Sequence, residues 1–311
     1  MVLVISMTTL TPRQIHLRGL YWAFLGVLLF SFSVPLTKVA VGGFNPFLTA
    51  TGRAVIAGVL AALILSVNRV AWPARAVVRP LLLTMVGAVF GWPILIAIAL
   101  QYTTSAHVAV IAAFMPLSTA IIAVARTHEK VSAKFWLAAS IGTVALVVFA
   151  LGRGGASSPN YWADLLVVGA MLFSSWCYVE GASVTKVLPG WQVISWVVVF
   201  ALPITVPASM LLWFTTSADY ATTGAQWFAL IMLGLSSMYF GFFAWYRGLS
   251  MAGIARGSQV QQLQALLTLL WSALLLGETV TWLTVLAAVV VIASVIWAQR
   301  SRRAEFIAPE E

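Results

Sequence analysis

Charge is the scarcest commodity in this sequence. Only 8% of its 311 residues are Asp, Glu, Lys or Arg, roughly a third of the share carried by an ordinary soluble domain. With 62% apolar residues and a mean hydropathy of +1.01, polar side chains are too few to cover a water-soluble globule of this length. A soluble globular enzyme, a disordered chain and a nucleic-acid-binding domain are excluded on that ground. Cysteine is nearly absent: Cys177 stands alone inside an apolar stretch, so there is no disulfide framework. The sequence has no CxxC, no HExxH and no GxxxxGK phosphate loop, and with them go the signatures of thiol-redox, zinc-protease and P-loop ATPase chemistry. His16, His107 and His128 fall in three different places. No cofactor or metal is expected, and the scattered His, Asp and Glu residues form no catalytic constellation, so the chain does not read as an enzyme.

What the sequence has instead is length without charge. A transmembrane helix needs about 20 mostly apolar residues to cross roughly 30 Å of hydrocarbon. Ten segments qualify: 19–41, 46–67, 80–101, 105–125, 133–151, 162–185, 191–213, 224–246, 254–276 and 280–298. The expected fold is an all-α membrane protein. The basic residues say which way round it lies. Fourteen of the 17 flank one side, from Arg13 and Arg18 through Arg126, Lys130 and Lys134 to Arg302 and Arg303; Arg153 alone flanks the other. The net charge of +9 is therefore mostly an orientation signal, with residues 1–18 and the tail 299–311 both cytoplasmic. The short apolar stretch Val2 to Ile5 precedes the basic residues, the reverse of a cleaved signal peptide.

The chain also reads as two halves of five spans, 19–151 and 162–298. GVLLFS at 26–31 answers GAMLFS at 169–174. AIALQYTTSA at 97–106 and YRGLSMAGIA at 246–255 share an offset with the glutamates Glu129 and Glu278, each of which has a Ser or Thr three residues on, Ser132 and Thr281. Five spans per half force the second half to insert upside down. The charges agree, since the Glu129 loop is basic and its counterpart at 277–281 is not. Inverted repeats of this kind recur in secondary transporters, with the substrate site near the bilayer midplane.

With ten spans, short loops, a 5+5 repeat and a glutamate after spans four and nine, the sequence resembles the EamA family of the drug/metabolite transporter superfamily. Within it the chain is most similar to the bacterial aromatic amino-acid exporters. The resemblance implies a multi-pass protein of the bacterial inner membrane that exports small metabolites by alternating access without ATP. Its partners would be a small-molecule substrate and the lipid bilayer, not nucleic acid, and a monomer is compatible with this.

Charged residues within spans are costly and mark function or special pairing. Lys38 lies near the outer end of span one and either snorkels to the surface or takes part in gating. Arg53 lies about a third of the way into span two and either bonds helix-end carbonyls or serves coupling. Glu180, toward the inner end of span six, is either an inner-gate partner of Lys186, Arg247 or Arg256, or a proton-coupling carboxylate. Span nine holds Ser258, Gln259, Gln261, Gln262 and Gln264; on an α-helix Ser258, Gln261, Gln262 and Ala265 share one face. Such a face lines a wet cavity or glues helices together. Of 14 tryptophans, nine sit near span ends, whereas Trp92 and Trp176 lie deepest. Tyr239, Phe243 and Tyr246 share a face of span eight, and Tyr102 closes span three. The expected substrate site is lined by Ser31, Trp92, Tyr102, Trp176, Tyr239, Tyr246, Gln261 and Gln262. Pro35, Pro93 and Pro116 each remove a backbone donor within a span and are the expected hinges. A drug, cation or nucleotide-sugar transporter is the same-class alternative; a passive channel or a membrane-embedded enzyme is a more distant one.

Overall fold

The computed structural model describes residues 11–103, 105–112, 114–127, 131–152, 161–276 and 282–300. The two paired glutamates, Glu129 and Glu278, and the lone basic flank Arg153 lie outside them. Among the described residues there are helices and no strands. Six helical runs are long and apolar enough to cross a membrane: Arg13–Ala40, Pro46–Val67, Arg75–Tyr102, Tyr161–Val184, Gly190–Asp219 and Gly224–Ala252. Shorter apolar helices, Met115–Arg126 and Ala133–Ala145 among them, accompany these. The burial pattern differs from that of a water-soluble fold: large apolar side chains stay exposed while polar ones join an apolar core. Leu63, Val148, Phe214 and Trp282 are exposed, whereas Ser31, Thr37, Ser175, Ser195 and Gln259 are buried. Backbone and side-chain polar groups have no water to turn to in hydrocarbon, so they must face inward.

In chain order the first run is α1 (Pro12–Ser31) followed by α2 (Ser33–Ala40). The break has a definite cause. Pro35 has no N–H to offer the carbonyl of Ser31 four residues back. That carbonyl instead accepts the Thr268 hydroxyl at 3.0 Å. The second run, α3 (Pro46–Val67), is capped by the Asn45 side chain, which accepts the Phe47 N–H, and has proline at its first position. The third run passes from α4 (Arg75–Met85) through a π-helical segment, Val86–Gly91, into α5 (Trp92–Tyr102). Pro93 withholds a donor here too, and the Trp92 N–H is given five residues back to the Gly87 carbonyl. Next come α6 (Ser105–Ala112) and α7 (Met115–Thr127), interrupted just before Pro116, then α8 (Ala133–Gly152).

The later part of the chain opens with two unbroken helices, α9 (Tyr161–Val184) and α10 (Gly190–Thr216). It continues with α11 (Gly224–Met232), a second π-helical segment, Leu233–Phe240, and α12 (Gly241–Ala252). Gly253, at φ 87°, turns the chain into α13 (Ile254–Gly257), a conformation open to glycine and strained for other residues. A 3-10 turn, Ser258–Gln261, leads to α14 (Gln262–Leu276), and α15 (Trp282–Arg300) ends the described chain.

The helices pack in specific pairs: α1 on α12, α3 on α10, α8 on α15, and α9 between α5 and α7. Small residues bring the backbones close, as they must where lipid supplies no hydrophobic drive. A Cβ on Gly26 would stand 2.8 Å from the Trp245 backbone, and one on Gly248 would stand 2.4 Å from that of Ala23. At the centre Phe30, Tyr178, Phe242 and Trp245 form one aromatic cluster, with Phe30 stacked on Tyr178 at 6.0 Å and edge-on to Phe242 at 5.0 Å.

Candidate functional site

Two small cavities lie at the centre and share two walls, Trp92 and Gln264. The first, about 30 Å³, is bounded also by Met115 and Pro116 at the α6–α7 break and by Gln261 and Gln262. The second, about 20 Å³, is bounded by Arg53, Ser33, Ser174, Tyr178 and Ser237 and by the rings of Phe30 and Phe242. A water needs about 10–15 Å³, so each has room for a water or two and neither has room for a metabolite.

Several of the walls lie at backbone irregularities. Trp92 follows directly on the first π-helical segment and precedes Pro93. Ser237 lies within the second π-helical segment. Gln261 and Gln264 straddle the junction of the 3-10 turn with α14. Irregular backbone at depth is tolerated where it lines a cavity. The charge in the second cavity is that of Arg53, which is only 4% exposed. Its Nη2 donates to the Ser237 hydroxyl at 2.6 Å. Its Nε has no partner among the described residues, and neither do the carbonyl oxygens of Gln261 and Gln264. No aspartate or glutamate among the described residues lines either cavity.

Comparison with known proteins decides what kind of molecule this is. The sequence model of the EamA-like transporter family matches the chain twice, over residues 17–151 and 161–299. The chain belongs to that family. It is similar to a Bacillus subtilis (strain 168) protein named Uncharacterized transporter YdeK, at 39% identity over 277 residues, covering 89% of this chain and 95% of that protein. A solved structure, 18% identical, shares the fold with a TM-score of 0.75 over 91% of this chain and 98% of its own. This EamA chain is accordingly a multi-pass membrane protein with a transporter's family and a relative named as a transporter.

Among the residues expected to line a site in this EamA protein, Trp92, Gln261 and Gln262 meet at the first cavity, with the hinge candidate Pro116. Gln262 is also tied down, donating to the Ala139 carbonyl at 3.3 Å and accepting from Ser294 at 3.0 Å. Three others are joints between helices. Ser31 donates to the Leu28 carbonyl at 2.6 Å and accepts the Trp271 indole N–H at 2.8 Å. The hydroxyls of Tyr239 and Ser195 are 2.8 Å apart. Tyr246 donates to the Cys177 carbonyl at 3.1 Å. Tyr102 and Trp176 stand apart from the cavities, at 58% and 40% exposure. Tyr102 ends α5, and Trp176 projects from the side of α9 opposite Ser174 and Tyr178.

The three charged candidates divide. Lys38 caps the last turn of α5, donating to the Leu100 carbonyl at 2.8 Å; such carbonyls have no partner within their own helix. Arg53 meets a hydroxyl on another helix rather than a helix-end carbonyl. Glu180, 1% exposed, pairs with a residue not anticipated for it: its Oε1 lies 2.8 Å from Nε of Arg126. The packing of α7 on α9 brings the last turn of α7 to the depth of Glu180. Arg247, one of the expected partners, instead lies over the Trp22 ring at 4.6 Å. Glu180 lines neither central cavity.

Sequence reading passed over Ser33, Ser174, Tyr178 and Ser237. One signal was available: Ser174 and Tyr178 are four residues apart on α9, a polar pair on one helical face. Gln264 was visible in its run but was not placed on the shared face, although it stands three residues from Gln261. At that spacing the two share a side of the helix, and the Gln259 amide N–H donates to the Pro116 carbonyl at 3.3 Å.

Proposed function

We propose that this EamA protein is a secondary transporter that exports small amphipathic metabolites, aromatic and other neutral amino acids first among them. Transport runs across the bacterial inner membrane by alternating access without ATP, with both termini cytoplasmic. The observation that carries this is the meeting, at Trp92 and Gln264, of an aromatic cluster, unpartnered amide oxygens and a buried cation. Those groups complement a molecule with a ring at one end and polar groups at the other. A cation exporter would place a carboxylate in the cavity walls, and Glu180 is engaged elsewhere.

The proposed architecture is ten spans in two inverted repeats, 19–151 and 162–298. Several features support it. The helix pairs map onto themselves when each span is exchanged for the span five places on: α1 on α12 becomes α9 on α5, while α3–α10 and α8–α15 exchange within themselves. The π-helical segments occupy matching places, Val86–Gly91 and Leu233–Phe240. So do the breaks before Pro116 and at Ser258–Gln261. The family's sequence model also matches each half separately. On this reading Pro35, Pro93 and Pro116 mark where the spans bend as the halves rock, and the described arrangement is a closed one.

The test is uptake of labelled tryptophan and threonine into liposomes containing the pure protein. Saturable flux of either is expected; the absence of saturable flux for every amino acid would sink the substrate assignment. Trp92→Ala removes the wall common to both cavities. It should lower tryptophan transport about threefold to tenfold, the range of one aromatic contact, and leave threonine transport less affected. Equal loss for both would show that Trp92 acts on the transport cycle and not on the ring.

A further inference from the structure

We propose that the cavity between Arg53, Ser237 and Gln264 is a head-group subsite in which the Arg53 guanidinium takes the carboxylate of the transported molecule. This rests on the transporter reading above. A guanidinium presents five N–H donors in a planar fork. Arg53 spends one of them on a neutral hydroxyl, at 2.6 Å, and its Nε has no partner among the described residues although the side chain is buried. A structural tie between α3 and the second π-helical segment needs only a neutral donor; a buried cation with no counter-charge among the described residues is a costly way to make one. The costly arrangement fits a site completed by a ligand. A carboxylate matches the fork bidentately and supplies the missing negative charge.

The rest of the cavity agrees. Ser33 and Ser174 add hydroxyls to the same walls. The carbonyl oxygens of Gln264 and Gln261 are unpartnered acceptors, suited to N–H groups of an ammonium, and Gln264 belongs to both cavities. Phe30 and Phe242 close the apolar side. Donor charge and the orphan Gln264 oxygen sit around one small space, with Gln261 in the adjoining cavity; the pairing is the complement of a zwitterionic or carboxylate head group and opposes a simple cation.

The experiment is competition against labelled tryptophan with four unlabelled compounds on the intact protein: tryptophan, indole-3-propionate, tryptamine and tryptophan amide. The first two keep the carboxylate; the last two keep the ring and the amine without it. Tryptamine and the amide should compete at least about tenfold more weakly than tryptophan, the scale of a hydrogen bond to a charged group, with indole-3-propionate retained closer to tryptophan. Arg53→Gln should erase that discrimination and Arg53→Lys should keep part of it. Tryptamine competing as well as tryptophan overturns the assignment and leaves the transporter reading standing. So does discrimination that persists in a folded Arg53→Gln protein. If neither tryptophan nor indole-3-propionate binds, the amino-acid reading falls and this assignment with it. The ligand series needs no variant, so it decides the matter even where Arg53→Gln fails to fold.

Discussion

Arg126→Ala is expected to destabilise the protein by about 3 kcal/mol, at the lower end of the range for stripping a buried charge of its partner. The lower end applies because Arg126 is itself 53% exposed while Glu180 is 1% exposed. The asymmetry is the point of the experiment. Removing the arginine leaves a carboxylate in the protein interior, whose second oxygen already has no hydrogen-bond partner among the described residues. Removing the charge from the other side, as Glu180→Gln, leaves an arginine that water can reach. That change should cost about 1 kcal/mol, the net worth of an ordinary hydrogen bond. Thermal unfolding in detergent reads both, and the double variant should resemble Glu180→Gln alone. If Arg126→Ala is no less stable than Glu180→Gln, the carboxylate does not depend on Arg126. Transport by Glu180→Gln at the unaltered rate would, in addition, remove Glu180 as a proton-coupling group.

A comparable loss is expected from adding a single methyl group at Gly181. A Cβ there would lie 2.3 Å from both the ring carbon Cζ and the hydroxyl of Tyr246. Tyr246 is fully buried, so the ring has no free space to move into. Overpacking a core costs about 1–3 kcal/mol, and displacing the ring also breaks its bond to the Cys177 carbonyl. Gly181→Ala should therefore lose about 3 kcal/mol, and Gly181→Val more. Shortening the opposing side chain, as in Gly181→Ala with Tyr246→Leu, should recover part of it. A double-variant cycle measures the coupling, and additive losses would mean that the two positions do not meet.

These two sites also show what a one-dimensional reading can and cannot reach. Long apolar runs such as 46–67 and 162–185 are read directly, because crossing hydrocarbon demands length and apolarity of each helix by itself. Helix breaks at Pro35 and Pro116 are equally local, since a proline removes its own N–H. Partners are a different matter. Glu180 could be seen as an expensive carboxylate needing a cation, but which of several arginines met it depended on how α7 packs against α9. Trp92 and Trp176 looked alike at mid-depth, and only the facing of each helix separates a cavity wall from a ring exposed on the outside of the bundle. Gln264 went unplaced in the glutamine run although it stands three residues from Gln261, and no residue type announces the 3-10 turn at Ser258–Gln261.

The bond between Arg53 and Ser237 has a consequence for how the chain is made. Its two ends are 184 residues apart. At roughly 5–20 residues per second, synthesis reaches Ser237 roughly 10–40 s after Arg53. For that time a charged residue sits in a segment that must already have entered the membrane, with its native neighbour not yet in existence. Insertion of that segment has to stand on its own composition. Ten Leu, Ile, Val and Phe residues between Pro46 and Val67 contribute roughly −3 to −6 kcal/mol against roughly +2.5 to +3.5 for the arginine, a balance near or below zero. The surplus is narrow. Several substitutions of those residues by alanine would leave the finished protein's cavity untouched and still stop the second span from entering the bilayer.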